Sequence, residues 1–568
     1  MKHTFHYHKT LEAVKATPYT VSDYIAERLK EMGLKDMFIV PGDFMTPFLD
    51  IIEERHPDIK LINAPNELCG GYAADAYTRI SGFGAVSVTY GVGAFSLING
   101  IAASWVERNP VVFLNGHPST SDMFYENELG VLIHHSTGNF RSNKKAYEDI
   151  TAAAVTISNI ADAPALIDEA IVACYINKRP VYIECYKDVW QMPCNKPTGK
   201  LDLTLTKSDP VQLDAAVSMI IARLEAAKKP IVWAGIELQR YHIQKELESL
   251  LTTTNLGYIT TLLAKSLLPE TNPHFVGTYT GAASSAELRE RVNTSDFLLC
   301  LGTIITDDYL DIINSSYGKM AVAYDGGVRV GYQHFPNVYT YDLLPALIKK
   351  LKATKYKSPL GKTAKPKGLL DDPDEGTQIT FNGFFRRMEN FVTKDMMLLV
   401  DESDSMYVVS DLIIKEQNGF ASEAAWGSIG AAAPMAVGIS LASGKRAVAF
   451  CGDGGFQMVD QALSFLNTNC PGTIIFVMNN NLYGIEQALV DLAPFDGKGE
   501  FRAYNILPQW QYYKLADVMG GKGYRATTYK ELDKVLAEVK KNTKTLSVVQ
   551  IDIPMTDLPP QIRRLASM

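Results

Sequence analysis

The stretch Ala447-Val448-Ala449-Phe450-Cys451-Gly452-Asp453-Gly454-Gly455, with its continuation Thr473-Ile474-Ile475-Phe476-Val477-Met478-Asn479-Asn480, decides the fold. Two short apolar runs, each closing on small or polar residues, flank a segment of helical character from Gln457 to Asn469. Strand, helix and strand in that order predict a βαβ unit. Both strand ends then reach one edge of a parallel sheet, where open α/β sheets bind ligands. An edge carrying a carboxylate, two amides and adjacent glycines suits a hard divalent cation that also holds phosphate oxygens. Glycines there let backbone N–H groups approach a phosphate with no Cβ in the way. Read singly, Gly452-Asp453-Gly454 also fits a strand-to-helix turn with a capping Asp, and Asn479-Asn480 an Asn-rich turn.

The same alternation recurs outward from this unit. Residues 19–195 read as an α/β domain: a helix over Val21–Met32, strands at Asp36–Val40, Lys60–Asn63, Ala85–Thr89 and Pro110–Asn115, and a small-residue helix through Gly70–Ala76. Residues 205–350 repeat the pattern, with a helix over Val211–Ala227 and strands at Pro230–Ala234, Gly257–Thr261 and Phe297–Gly302. The Gly302-Thr303 turn fits either close approach to a nucleotide or a plain strand-helix turn. A linker is expected over 351–378, where lysines give way to Asp371-Asp372-Pro373-Asp374-Glu375-Gly376, and a third α/β domain over 379–568. The expected architecture is three doubly wound parallel-sheet domains with no repeat visible at the level of residues.

Composition narrows the function. At 568 residues the chain has room for several domains, and 46% hydrophobic with 21% charged residues is ordinary for a globular protein. The net charge of −8 is spread along the chain, and no basic stripe interleaves with aromatics, so a nucleic-acid partner is not expected. The absence of a bilayer-length apolar run and of a signal-like start predicts no membrane partner and a cytoplasmic protein. Seven scattered cysteines, none in a CxxC, predict reduced thiols rather than disulfides or zinc. An extension over residues 1–18 carries His3, His6 and His8, which fit a weak metal site or a plain extension.

Several further motifs, taken together, carry a resemblance. They are Pro41-Gly42-Asp43-Phe44, Asn66-Glu67-Leu68 with Gly71-Tyr72-Ala73-Ala74-Asp75, Gly91-Val92-Gly93, and His134-His135 before Gly138-Asn139-Phe140. Trp426-Gly427-Ser428-Ile429-Gly430, the Asp453 to Asn480 unit and Ile485-Glu486 follow in order. Over nearly its full length the chain resembles the thiamine-diphosphate-dependent 2-oxo acid decarboxylases of the pyruvate/indolepyruvate decarboxylase group. The resemblance implies two cofactors, thiamine diphosphate and Mg²⁺. Asp453, Asn480 and the backbone carbonyl of Leu482 would ligate the metal, although many members carry Gly at the position of Leu482. Gly454, Gly455, Asp404, Ser405 and Ile485 would contact the cofactor. Gly427 and Ile429 would hold it bent, and Glu67 would bond its pyrimidine to promote the ylide. Asp43, His134, His135 and Glu486 would be the acid-base set, with one carboxylate of the Asp43/Glu486 pair raised in pKa. In such enzymes Glu67 comes from one subunit and the diphosphate site from another, which implies a homodimer or homotetramer with interfacial sites.

The implied reaction is non-oxidative decarboxylation of a small-molecule 2-oxo acid to an aldehyde and CO₂ through a ylide and an enamine. A carboligase that uses the same enamine to form 2-hydroxy ketones is the alternative. The His134-His135 pair argues against a flavin oxidase or acetohydroxyacid synthase, and the full set of acid-base residues against an inactive scaffold. The chain departs from the pattern in Asp401-Glu402-Ser403-Asp404-Ser405-Met406-Tyr407. There Glu402 replaces the usual Thr or Gln that faces substrate, and Met406 falls where pocket size is set. Glu402 is expected either to favour a donor-bearing substrate or to point to solvent, so pyruvate is not taken as the substrate.

Overall fold

A computed structural model describes residues 18–360, 366, 368–369 and 375–567. His3, His6 and His8, and the linker stretch Asp371–Asp374, lie outside the described residues.

Three sheets organise the chain. The first contains β1 (Asp36–Ile39), β2 (Lys60–Asn63), β3 (Gly84–Val88), β4 (Val111–His117), β5 (Ala154–Ile157) and β6 (Val181–Tyr186), all parallel in the order β2-β1-β3-β4-β6-β5. The second contains β7 (Pro230–Ala234), β8 (Gly257–Thr260), β9 (Phe275–Thr278), β10 (Phe297–Leu301), β11 (Met320–Tyr324), β12 (Gly327–Val330) and β13 (Gln333–Pro336). The third contains β14 (Met396–Val400), β15 (Phe420–Ala421), β16 (Arg446–Gly452), β17 (Ile474–Asn479), β18 (Lys522–Ala526) and β19 (Ser547–Asp552), again all parallel, in the order β15-β14-β16-β17-β19-β18.

The strands are apolar along their length because helices cover both faces of a parallel sheet. β16 and β17, read from the sequence as buried runs, pair residue for residue from Val448 with Ile474 to Gly452 with Met478. Two expectations need correction. The middle sheet is mixed: β12 and β13 are antiparallel and close one edge of the order β13-β12-β11-β10-β7-β8-β9. The signal for this hairpin was Asp325-Gly326, whose φ values of 50° and 76° make the two-residue turn between β11 and β12. The segment Gln457–Asn469 is two helices, Asp453–Gln457 and Ala462–Asn469, because Val459 turns into the core, against Gly430, between them.

The small-residue helix is Glu67–Ser81, and its composition follows from two close crossings. A Cβ on Gly71 would stand 2.6 Å from Leu97, and one on Gly438 of the helix Ala432–Ser443 would stand 2.0 Å from the carbonyl oxygen of Ala73. The first and third domains are therefore fused through one continuous apolar core. The Gly302-Thr303 turn is a closed structural turn: a Cβ on Gly235 would stand 2.1 Å from the Gly302 carbonyl, and Thr303 Oγ1 donates to Trp233.

Candidate active site

In the third sheet the chain reverses its direction of growth between β14 and β16, the topological switch point at which such sheets bind ligands. A cavity of about 260 Å³ opens there. Its lining includes Glu402 and Asp404 from the loop after β14, Asp453, Gly454 and Gly455 after β16, and Asn480 and Leu482 after β17. Ile429, Ile485 and Glu486 also line it.

Asp453 is 2% exposed and ties the unit together. Its Oδ1 accepts from Gly454 N at 3.0 Å and its Oδ2 from Asn481 N at 2.6 Å, so the ends of β16 and β17 are fixed to each other. Burial pushes the Asp453 carboxyl up to about 7 against these hydrogen bonds, so a cation at this edge would favour the ionised form. The two asparagines separate in role. Asn479 donates to Asp552 on β19, away from the cavity, whereas Asn480 lines it. The floor requires glycine: a Cβ on Gly454 would stand 2.4 Å from the Tyr483 ring, and one on Gly455 would stand 2.3 Å from Asp401 Oδ2. Asp401, 1% exposed, was missed as a site residue. It accepts from Gly430 N and Ala432 N at 2.8 and 3.3 Å and so staples the Gly427–Ala431 loop behind the cavity.

Asp404 is buried, with burial pushing it up to about 7, and its Oδ1 has no hydrogen-bond partner. Ser405 Oγ is likewise buried and unpartnered, but Ser405 and Gly427 do not line the cavity. Gly427 has φ +71°, which explains its residue type through backbone conformation. Glu402 faces the cavity rather than bulk solvent. Burial, then the carboxyls of Asp308, Asp401, Glu107 and Asp404, push it up to about 8. Met406 does not line the cavity: it is 2% exposed in the core, its sulfur 3.2 Å from Ser422 Oγ.

The other half of the expected site lies on the first domain. Glu67 is the first residue of its helix. Asn66 is the N-cap, accepting from Cys69 N at 2.8 Å, and Glu67 Oε1 lies 3.4 Å from where a Gly93 Cβ would be. Asp43, after β1, meets His134 Nε2 at 3.3 Å. The His134 ring stacks on Phe44 at 4.8 Å, and His135 stands edge-on to it. His135 holds φ 67°, and a Cβ on Gly91 would stand 2.1 Å from its carbonyl oxygen, so Gly91 exists to admit this turn. Lys187, not read from the sequence, reaches Asp43 Oδ2 at 3.0 Å from the end of β6. Burial works to raise the Asp43 carboxyl. Lys187 and then His134 outweigh it, so Asp43 lies below the usual carboxylate value. The expected pairing of Asp43 with Glu486 is not seen within one chain: Asp43 sits with Lys187 and His134, while Glu486 lines the third-domain cavity.

Glu67, Asp43, His134 and His135 line no part of that cavity. The chain brings together two constellations, one on each of two sheets, and does not merge them.

Similarity to known proteins agrees with this division. The family described as "Thiamine pyrophosphate enzyme, N-terminal TPP binding domain" matches residues 19–137, its central domain matches 217–321, and its C-terminal TPP binding domain matches 405–551. A Schizosaccharomyces pombe protein described as "Probable pyruvate decarboxylase" is 31% identical, over 95% of this chain and 94% of its own. An alpha-keto-acid decarboxylase of Mycobacterium leprae is 31% identical over the same shares, 95% and 94%. A pyruvate decarboxylase of Kluyveromyces marxianus is 28% identical over 97% of this chain and 98% of its own. With all three domains matched and relatives aligned over nearly the whole length, the chain belongs to the family of thiamine-diphosphate-dependent 2-oxo acid decarboxylases.

Proposed function

We propose that the protein decarboxylates a 2-oxo acid to an aldehyde and CO₂ with thiamine diphosphate and Mg²⁺. The observation that carries the reading is the switch-point cavity, whose glycine floor lies against a buried carboxylate and an amide. Its residues fit the cofactor: Gly454 and Gly455 present bare backbone to the cavity where a Cβ would collide with Tyr483 and Asp401, and the buried Asp404 Oδ1 has no partner in the fold. Asp453 and Asn480, with the Leu482 carbonyl, would hold Mg²⁺. Thiamine diphosphate supplies the electron sink for the pair released when the C1–C2 bond of the substrate breaks.

The protein's part is positioning and proton traffic. Ile429 and Ile485 present apolar surface beside the phosphate floor and shape the space above it. Glu486, which lines the cavity on the first turn of the helix Gly484–Val490, would give a proton to the intermediate. Asp43 with His135 would relay a proton at product release, with His134, held by Asp43 and by stacking on Phe44, as their partner. Glu67 would bond the pyrimidine end of the cofactor.

We further infer that two copies of the chain complete each site as a homodimer, or as a homotetramer of such pairs. The third-domain cavity contains no first-domain residue, and Val92 and Phe95 of the first-domain helix Val92–Val106 are 56% and 39% exposed. All seven cysteines are free and six are buried, which supports a reducing, cytoplasmic setting, and no helix among the described residues is long and apolar enough to cross a membrane.

The test is product analysis on a panel of 2-oxo acids, with and without an acceptor aldehyde, after dialysis against EDTA and reconstitution. Aldehyde formation that depends on both Mg²⁺ and thiamine diphosphate supports the reading. A 2-hydroxy ketone as the main product would replace it with carboligation, and activity without either cofactor would refute it.

A further inference from the structure

The cavity holds one side chain that the fold does not explain. The neighbouring acids are each occupied: Glu107 accepts from Arg79 and from two backbone N–H groups, and Asp401 from Gly430 and Ala432. Asp308, brought from the middle domain, accepts from Tyr407. Glu402 lines the cavity, and the charges that act on it are these same carboxyls and Asp404. Among the described residues no cation pairs with it. Asp404, which lines the same cavity, has its unpartnered Oδ1 open to the cofactor, so Glu402 is the acid left without a donor. An acid that faces a cavity without a donor is costly to ionise there, and no packing role offsets that cost, since Glu402 points into the cavity rather than into the core. The donor is therefore brought by what binds. Part of the wall is apolar, at Phe381, Ile429, Met478 and Ile485, a surface for methylenes.

Resting on the decarboxylase reading, we propose that Glu402 determines specificity, and that the substrate is a 2-oxo acid whose side chain ends in a cationic donor, an ammonium or guanidinium. The methylene stem packs along the apolar wall and the cation pairs with Glu402. Pairing with the cation fixes the far end of the side chain at Glu402 and leaves the keto acid end directed away from it, so one residue sets both selection and orientation. Pyruvate, with no donor to offer, leaves Glu402 as it is.

The experiment uses the full chain reconstituted with thiamine diphosphate and Mg²⁺. Rates are measured on 2-oxo-5-guanidinopentanoate, pyruvate and phenylpyruvate. Binding is measured with the matching 2-hydroxy acids, which cannot lose CO₂. The expected result is a preference of about 10- to 100-fold for the guanidino compound in both readouts, the range of a charge-assisted hydrogen bond. That preference should be lost in Glu402→Gln and in Glu402→Thr, with cofactor affinity unchanged. Equal or reversed preference in the wild type, or a preference that survives both substitutions, overturns the proposal. Loss of cofactor affinity in both variants also overturns it, because Glu402 would then serve the cofactor. Should no member of the panel yield aldehyde while the guanidino 2-hydroxy acid still binds preferentially, the decarboxylase reading fails and the assignment of Glu402 stands.

Discussion

The first and third sheets have the same strand order and the same switch point, between β1 and β3 in one and between β14 and β16 in the other. The hydrogen bonds at the two positions correspond: Val40 N donates to Ser87 O at 3.1 Å, and Asp401 N to Phe450 O at 2.9 Å. Both use glycine for close packing, with different results. In the third domain Gly454 and Gly455 pack against Tyr483 and Asp401 and present bare backbone to the cavity. In the first domain glycines let the chain close up: Cβ atoms on Gly42, Gly91 and Gly116 would stand 2.4, 2.1 and 2.7 Å from Thr89, His135 and Phe44. Phe44, Tyr90 and Phe140 form a buried aromatic cluster there. The electrostatics are opposed too. Asp43 is held down by Lys187 and His134, whereas burial raises Asp401, Glu402 and Asp404. One topology thus yields a cavity in the third domain and, in the first, a partly exposed cluster of Asp43, His134 and Lys187 over packed aromatic side chains.

If the two halves serve one reaction across a subunit boundary, the largest effect comes from breaking each separately. Glu67→Gln and Asp453→Asn should each lower kcat/KM on the order of 10³-fold or more. When the two variants are co-expressed with different tags and the mixed oligomer is isolated, activity should return far above either parent, because one of its sites carries both wild-type residues. A mixed oligomer as inactive as its parents would mean that each site is built within a single chain.

Next in size is a test of the two glycine devices. Gly454→Ala places a methyl group into the Tyr483 ring and should weaken thiamine diphosphate binding about tenfold or more, the scale of overpacking. Gly91→Ala, at φ +63° and against His135, should displace the His134-His135 segment and lower kcat by a similar factor with cofactor affinity intact. Titration of the cofactor alongside steady-state rates separates the two outcomes. A cofactor defect in Gly91→Ala would erase the distinction drawn between the switch points.

The third-domain site was legible because its parts are local: a strand ends at Asp453, the next ends at Asn480, and the loop after β14 is continuous in sequence. What escaped was brought in by topology. Lys187 lies 144 residues from Asp43 and reaches it only because β6 runs parallel to β1, three strands away in the same sheet. Asp308 comes to Glu402 from another domain. The shared strand order of the first and third sheets left no trace in residue identity, since buried parallel strands require only apolar runs of suitable length. The antiparallel hairpin of the middle sheet did leave a signal, Asp325-Gly326, but β12 and β13 are four residues each and too short to show alternation.

Lys187 offers a smaller test. Its removal in Lys187→Met leaves burial to raise the Asp43 carboxyl, so the pH below which activity falls should move upward. Lys187→Arg should restore the wild-type profile. If the acid limb of kcat/KM against pH is the same in Lys187→Met and wild type, the ionisation of Asp43 does not depend on this pair, and the electrostatic half of the contrast is lost.

The smallest expected effect is on stability, and its sign differs between the two switch points. Asp401 and Glu402 are raised in the folded protein to about 7 and about 8, above the ordinary carboxylate range that they have when unfolded. The folded state therefore holds protons that the unfolded state has released. The stabilisation is complete below about pH 4 and is lost as pH rises through 7 to 8. Asp43, lowered, contributes in the other direction, with stability present above the ordinary range and lost on acidification. Asp43 is 45% exposed, so solvent weakens its share and the raised acids Asp401 and Glu402 should dominate between pH 5 and 8. The melting temperature of the ligand-free protein should thus fall across that interval. Glu402→Gln, which removes an acid that must ionise without a partner, should flatten the fall and raise the value at pH 8 by roughly 2–4 °C. A steeper fall in that variant would mean that Glu402 is ionised and paired in the free protein, and the donor assigned to the substrate would already be present in the fold.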